Sequence, residues 1–156
     1  MKKVIASLFL LSFCLTSSAF AGSDFDRMKS LVGEWESSGT EGKTRVRYEL
    51  ISNGTALMET IISENMVTIY HPDGEATLMT HYCAIGNQPR MRAQSSRGGD
   101  TIAFQFVDVA NLKKADEGHM RRLVIKFQDK DHLTQDWTWR ENGKEVKTTF
   151  RLQRVK

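Results

Sequence analysis

From Thr44 onward the chain is written largely in a two-residue rhythm. Thr44 to Ser52 sets Val46, Tyr48 and Leu50 on one face and Arg45, Arg47 and Glu49 on the other. Thr101 to Val109 groups Ile102, Phe104 and Phe106, and His132 to Arg140 opposes Leu133, Trp137 and Trp139 to Thr134, Asp136 and Arg140. Successive side chains of an extended strand point to opposite faces, so these segments predict strands with one face in a core and one in water. Asp24 to Val32 instead keeps a helical spacing, with Phe25, Met28, Leu31 and Val32 behind a possible Asp24 cap, and predicts one short helix before the first strand.

The strands are punctuated by Asn53-Gly54, Pro72-Asp73-Gly74, Gly98-Gly99, Asp129-Lys130-Asp131 and Asn142-Gly143, the residue chemistry that tight hairpins need. Ten strands follow, beginning near Glu34, Thr44, Thr55, Met66, Glu75, Arg90, Thr101, His119, His132 and Lys144. Opposite residues of a hairpin share a face, which tests the register. A two-residue turn at Asn142-Gly143 pairs Trp139 with Val146, Trp137 with Thr148, Gln135 with Phe150 and Leu133 with Leu152, while Arg140 meets Glu145 outside. The Gly98-Gly99 turn pairs Ser95 with Ile102, Ala93 with Phe104 and Met91 with Phe106. A three-residue turn at Asp129 to Asp131 pairs Phe127 with Leu133, Ile125 with Gln135, Leu123 with Trp137 and Arg121 with Trp139. The three hairpins agree on one interior. Ten sequential strands with one apolar face predict an all-β fold, a single antiparallel up-and-down barrel, because closure removes both exposed edges. A sandwich is the alternative.

The start of the chain is of another kind. Met1-Lys2-Lys3, the apolar run Val4 to Leu15 and the small-x-small Ala19-Phe20-Ala21 predict a cleaved export signal over 1–21, leaving 22–156 as one domain in the periplasm or outside the cell. The apolar run is too short for a permanent bilayer span, and nothing later is long or apolar enough. Phe13 before Cys14 lacks the small residue a lipid anchor would require. Without Lys2 and Lys3, twenty basic residues face nineteen acidic ones, a net charge of +1. With no polybasic block and no basic stripe interleaved with aromatics, nucleic acid is a poor partner. Once Cys14 leaves with the signal, Cys83 stands alone, so no intrachain disulfide is expected and packing must carry the fold.

Two resemblances bear on this reading. Gly33-Glu34-Trp35, entering the first strand behind the helix, is similar to the Gly-x-Trp signature of calycins, the lipocalin-like barrels. That resemblance implies that Trp35 plugs the closed end and stacks on a basic residue of the last strand, Arg151 or Arg154. The segments Thr80-His81-Tyr82-Cys83-Ala84-Ile85-Gly86-Asn87-Gln88-Pro89-Arg90-Met91, Phe106-Val107-Asp108-Val109-Ala110-Asn111-Leu112 and Leu133-Thr134-Gln135-Asp136-Trp137-Thr138-Trp139 resemble a family of bacterial exported proteins of uncharacterised activity, a likeness that spans most of 22–156.

In an up-and-down barrel alternate connections lie at opposite ends. The tight turns at 53–54, 72–74, 98–99 and 129–131 share one end with the helix. The other end collects the Glu64-Asn65 and Asn142-Gly143 turns and the two longer connections, Ile85 to Pro89 and Ala110 to Gly118, and is the expected mouth. Polar residues that break the inward apolar pattern gather towards it. Asp108 continues the Ile102, Phe104, Phe106 face. His119 and Arg121 continue the Leu123, Ile125, Phe127 face, with Trp139 across from Arg121. His81 and Cys83 climb to the same end below Asn87 and Gln88, and Glu59 sits opposite Tyr48 on an inward face. Pro89 opposite Asp108 would bring the Asn87-Gln88 loop beside that carboxylate.

A buried charge is costly unless paired, so inward Asp108, Arg121 and Glu59 need partners, water or a ligand. They are expected either to pair structurally, with Arg121 over Trp139 as a cation–π contact, or to hold a small amphipathic or aromatic molecule above an apolar floor of Phe104, Phe106, Leu123, Ile125 and Trp137. His81 and Cys83 with His119 could offer metal ligands, although no metal is expected. Cys83 with a histidine base and Asp108 could offer a nucleophile. The leading expectation is a non-catalytic binding barrel without a cofactor. Two rivals are an enzyme using His81, His119 or Cys83, by resemblance to calycins that bind haem through one histidine, and an interaction module with a filled core.

Overall fold

The computed structural model describes residues 23–156 except 40–41 and 95–98. The expected signal over 1–21 and the turn at Gly98 lie outside the described residues. Helix α1 (Asp24–Lys29) leads into β1 (Gly33–Gly39), β2 (Gly42–Ile51), β3 (Ala56–Ile61), β4 (Met66–Asp73) and β5 (Ala76–Tyr82). There follow β6 (Gln88–Gln94), β7 (Thr101–Ala110), β8 (His119–Phe127), β9 (His132–Glu141) and β10 (Lys144–Arg154). Each strand pairs antiparallel with the next, and β1 pairs with β10, so the sheet is a closed up-and-down barrel. All-β architecture, strand count and the single helix are as the alternation predicts.

Local chemistry explains the details. At the β9–β10 turn Asn142 and Gly143 both take positive φ, 49° and 74°, the conformation of a two-residue hairpin that follows the twist of its strands. The pairs Trp139↔Val146, Trp137↔Thr148, Gln135↔Phe150 and Leu133↔Leu152 form as expected. So do Ala93↔Phe104 and Met91↔Phe106 between β6 and β7, and Leu123↔Trp137, Ile125↔Gln135 and Phe127↔Leu133 between β8 and β9. The helix is capped by Ser23, whose hydroxyl accepts the Asp26 N–H at 3.1 Å, one residue earlier than the expected Asp24. The helix ends at Lys29, so Val32 lies past it and is 41% exposed rather than on its apolar face.

The half of the barrel nearer the helix holds most of the large buried side chains. Leu57, Tyr70, Met79, Met91, Ile102, Phe104, Leu123 and Ile125 are fully buried there, and burying each apolar side chain contributes about 1.5–3 kcal/mol. Trp35 closes this end, 1% exposed, with its indole N–H donating to Leu31 O at 2.7 Å. Phe25, Met28 and Leu31 pack beneath it in the same core cluster.

Two register shifts set the other end apart. Between β6 and β7, Arg90 pairs with Asp108 but Met91 pairs with Phe106, leaving Val107 as an extra residue. Between β8 and β9, Met120 pairs with Trp139 and Arg122 with Thr138, leaving Arg121 extra. β7 and β8 pair from Thr101–Gln105 to Arg122–Lys126, and both bulges lie beyond those pairs towards the mouth. A bulge turns the residues after it to the opposite face. Every residue placed on the inner face by counting past Phe106 or back past Leu123 is therefore re-aimed.

Candidate functional site

The inward residues at the mouth end form a polar rung in an apolar barrel. Register sets Tyr48 opposite Glu59, Glu59 opposite Thr68, and Thr68 opposite His81, one residue from each of β2, β3, β4 and β5. Tyr48 Oη donates to Glu59 Oε1 at 2.9 Å and Tyr70 Oη to Oε2 at 2.6 Å. From β9, Gln135 Nε2 donates to Glu59 Oε1 and to Tyr48 Oη, each at 2.6 Å. The Trp137 indole N–H donates to Gln135 Oε1 at 3.0 Å, which orients that amide with its NH2 towards the carboxylate. Glu59 is 0% exposed. Burial raises its pKa, and the hydrogen bonds from Tyr70, Gln135, Tyr48 and Thr68 pull it back. Burial, then the charge of Glu59, holds both tyrosines well above the usual phenol range, so they remain donors.

His81 closes the rung. Its ring is 1% exposed and lies 4.9 Å from the Trp137 ring, and Nδ1 is 2.9 Å from Thr68 Oγ1. Burial lowers its pKa from 6.5 to about 4, so the imidazole is neutral at physiological pH. Nε2 is buried with no hydrogen-bond partner. His81 lines a cavity of about 230 Å³ together with Ile61, Met66, Met120, Trp137 and Phe150, with Thr148 and the exposed Glu64 as its other polar members. The wall is otherwise apolar and no Lys or Arg lines it. The mouth end thus holds space, with His81, Thr148 and Glu64 as the polar residues of its wall.

Of the sequence-predicted site residues, the structure brings together His81, Glu59 and Trp137. Cys83 is half-buried against the core, a free thiol whose N–H donates to Asn87 O at 3.1 Å. Asn87, 0% exposed, ties two loops by donating from Nδ2 to Gly118 O at 2.8 Å, while its Oδ1 lacks a partner. Gln88 turns back on its own loop, donating to Gly86 O at 2.8 Å. Trp139 is half-buried and packs on the Gly118 backbone so closely that a Cβ there would lie 2.1 Å from its ring.

Asp108 requires a correction. The bulge at Val107 turns it to the outer face, where Arg90 Nε donates to Oδ1 at 2.6 Å and Nη2 binds Oδ2. Asp108 pairs with Arg90, not Arg121, and Val109 takes the expected place opposite Pro89. The Arg90 hydrogen bond holds the Asp108 carboxyl below its usual range. Arg121 is the bulged residue itself, and its guanidinium carbon sits 3.9 Å from the centroid of Phe106 rather than over Trp139. His119 is 9% exposed, its ring 5.3 Å from Phe106 and Nδ1 2.9 Å from Glu117 O. The expected convergence of Asp108, His119 and Arg121 with the 87–88 loop therefore does not form, and Asp108 orients neither histidine. Of the expected floor only Trp137 lines the cavity: Phe104, Leu123 and Ile125 are buried nearer the helix, and Phe106 lies under Arg121. Among the described residues no three His, Cys, Asp or Glu side chains gather as for a metal ion.

Met66, Thr68, Met120 and Gln135 belong to the site and were missed. Thr68 and Gln135 carried a readable signal, a polar residue interrupting Met66-x-Thr68-x-Tyr70 and Leu133-x-Gln135-x-Trp137. Met120 carried none, since it faces inward only because Arg121 bulges. Among the described residues no helix is long and apolar enough to cross a membrane. Comparison with models of known protein families yields no match for this chain, and comparison with curated proteins yields none.

Proposed function

We propose that this is an exported, calycin-like binding protein that holds a small aromatic or amphipathic molecule in the cavity beside His81, without catalysis. One observation carries this reading: a largely apolar cavity at the mouth end of the closed barrel, walled in part by a buried imidazole that has one unpaired nitrogen. A buried polar atom left unpaired is a free-energy cost that a ligand can relieve. The stack of Arg154 on Trp35, with its guanidinium carbon 4.3 Å from the ring, supports the calycin likeness. Size bounds the ligand. About 230 Å³ is below the roughly 300–1,000 Å³ of drug-sized sites and above the ~150 Å³ that admits benzene, so one or two rings suit it. A haem is too large for this space. His81 has the chemistry of an axial ligand but not the room, and haem addition is expected to give no shifted Soret band.

The test is calorimetric titration of the purified protein with phenol, indole and toluene. Millimolar or tighter binding is expected, together with its loss in a cavity-filling Met120→Trp variant that still unfolds cooperatively. No binding by any of the three would overturn the reading.

A further inference from the structure

The wall of the barrel is incomplete at the mouth end. β10 pairs with β9 without interruption from Lys144 to Gln153, but with β1 only over Leu152 to Arg154, opposite Trp35 to Ser37. β1 turns back at Gly39, which pairs with Gly42 of β2 and by register reaches no further than Phe150. Among the described residues, Lys144 to Thr148 therefore has a strand on one side and none on the other. The backbone phase is set at the end of β10: Val155 N donates to Glu34 O on the β1 side at 2.8 Å, and Arg154 N to Asp131 O on the β9 side at 2.9 Å. Carried back along the unbroken ladder, that alternation aims the N–H and C=O groups of Glu145 and Lys147 away from β9. Such an edge is a template for another strand.

The side chains of this stretch say what fits it. Thr148 and Phe150 line the cavity, whereas no residue of β1 or β2 does, and Val146, next on the inward face, is 60% exposed. Charged side chains can guard an edge, but Lys147 is drawn back over β9, with Nζ 2.7 Å from Asp136 Oδ2. We infer that an extended segment of another protein adds to this edge antiparallel to β10 and completes the wall there. Opposite residues share a face, so it carries apolar side chains opposite Thr148 and Val146, an acidic one opposite Lys147 and a basic one opposite Glu145. Main-chain bonds supply the affinity and the order apolar, acidic, apolar, basic supplies the specificity. A second copy paired about Val146 would match the charges too, but its Asn142-Gly143 turn would fall beside Phe150 and Thr149, where the β1–β2 hairpin ends. The inference concerns the edge and does not depend on the ligand proposed for the cavity.

Two measurements on the native protein test this. In amide hydrogen exchange followed by NMR, Glu145 and Lys147 should exchange at least roughly tenfold faster than Val146 and Thr148, whose amides bond to β9. The blocked peptide acetyl-Ser-Phe-Glu-Val-Lys-Ser-amide, added at millimolar concentration, should slow the fast pair. Protection of Glu145 and Lys147 in the free, dilute protein would overturn the inference, and protection that grows with protein concentration alone would give the edge to a second copy. The second measurement is a chemical-shift titration with variants of the peptide. Methylating the backbone nitrogen of its Glu, which faces β10, should weaken binding by roughly tenfold or more, while methylating that of its Val, which faces away, should not. Exchanging its Glu and Lys should weaken binding by roughly threefold to tenfold. No binding, or equal loss from the two methylations, would overturn strand addition. Equal binding of the charge-exchanged peptide would overturn the assigned order of side chains.

Discussion

Arg154 lays its guanidinium over the Trp35 ring at 4.3 Å and donates from Nη1 to Val32 O and from Nη2 to Ser30 O, both at 2.8 Å. One side chain from the last strand thereby fastens the helix exit and the plug of the first strand. Gly33 makes room for it: φ is +127°, and a Cβ there would lie 2.9 Å from Arg154 Nη1. The glycine of Gly33-Glu34-Trp35 is thus required by the arginine as well as by its backbone.

Trp35→Ala should lower the stability of the barrel by about 3–5 kcal/mol, the range for truncating a buried aromatic. Arg154→Lys keeps the charge but loses the planar fork, and should cost about 0.5–1.5 kcal/mol through the lost hydrogen bonds, since water can reach both carbonyls. Urea unfolding monitored by far-ultraviolet circular dichroism checks both. An unchanged midpoint for Trp35→Ala would mean that the tryptophan is not the plug.

Glu59 gathers donors in the barrel centre: the Tyr48 and Tyr70 hydroxyls and the Gln135 amide, which also donates to Tyr48 Oη. Glu59→Ala strands two phenols and an amide in the core and should cost about 3–5 kcal/mol, as when one partner of a buried charged cluster is removed. Glu59→Gln keeps the volume but turns an NH2 towards groups that are themselves donors, so it should be destabilised too, by less. Equilibrium unfolding of the two variants beside the wild-type protein gives the order.

Strand count, closure, the helix and the pairing next to the turns at Asp129–Asp131 and Asn142-Gly143 were legible in the sequence, because turn chemistry such as Asn142-Gly143 fixes register and register fixes faces. The rung was half legible: Tyr48 opposite Glu59 follows from the Asn53-Gly54 turn. The cluster expected around Asp108 failed for one physical reason. A bulge adds a residue with no distinctive side chain to announce it, and Val107 and Arg121 look like any strand residues. Counting by twos is reliable outward from a tight turn and fails at the first bulge, so errors gather at the mouth, where the bulges are.

That displacement changes the expected energetics of Asp108. An inward, buried Asp108–Arg121 pair would have made either substitution costly. On the outer face the Arg90–Asp108 pair has both side chains nearly half exposed, 49% and 46%, and exposed pairs contribute about 0–1 kcal/mol. Asp108→Asn should therefore shift the urea midpoint little. A loss of several kcal/mol would show that the carboxylate is buried after all.

The last expectation concerns pH. His81 has a pKa near 6.5 when unfolded and about 4 in the fold, where burial disfavours its charged form. Above pH 6.5 the imidazole is neutral in both states and adds no pH dependence. As pH falls from 6.5 towards 4, the unfolded chain takes up a proton that the fold refuses, so stability is lost across that window and the slope flattens below it. The full loss is of the order of 3 kcal/mol. Glu59, whose folded pKa is raised, works in the opposite sense, its contribution fading as pH rises, and the paired surface aspartates add slopes of their own. These groups remain in a His81→Gln variant, so the difference between wild-type and variant unfolding free energies isolates His81. That difference should be level above pH 6.5 and tilt against the wild-type protein between pH 6.5 and 4. A difference that stays level down to pH 4 would mean that the fold protonates the ring as readily as the unfolded chain does, so that burial does not hold its pKa down.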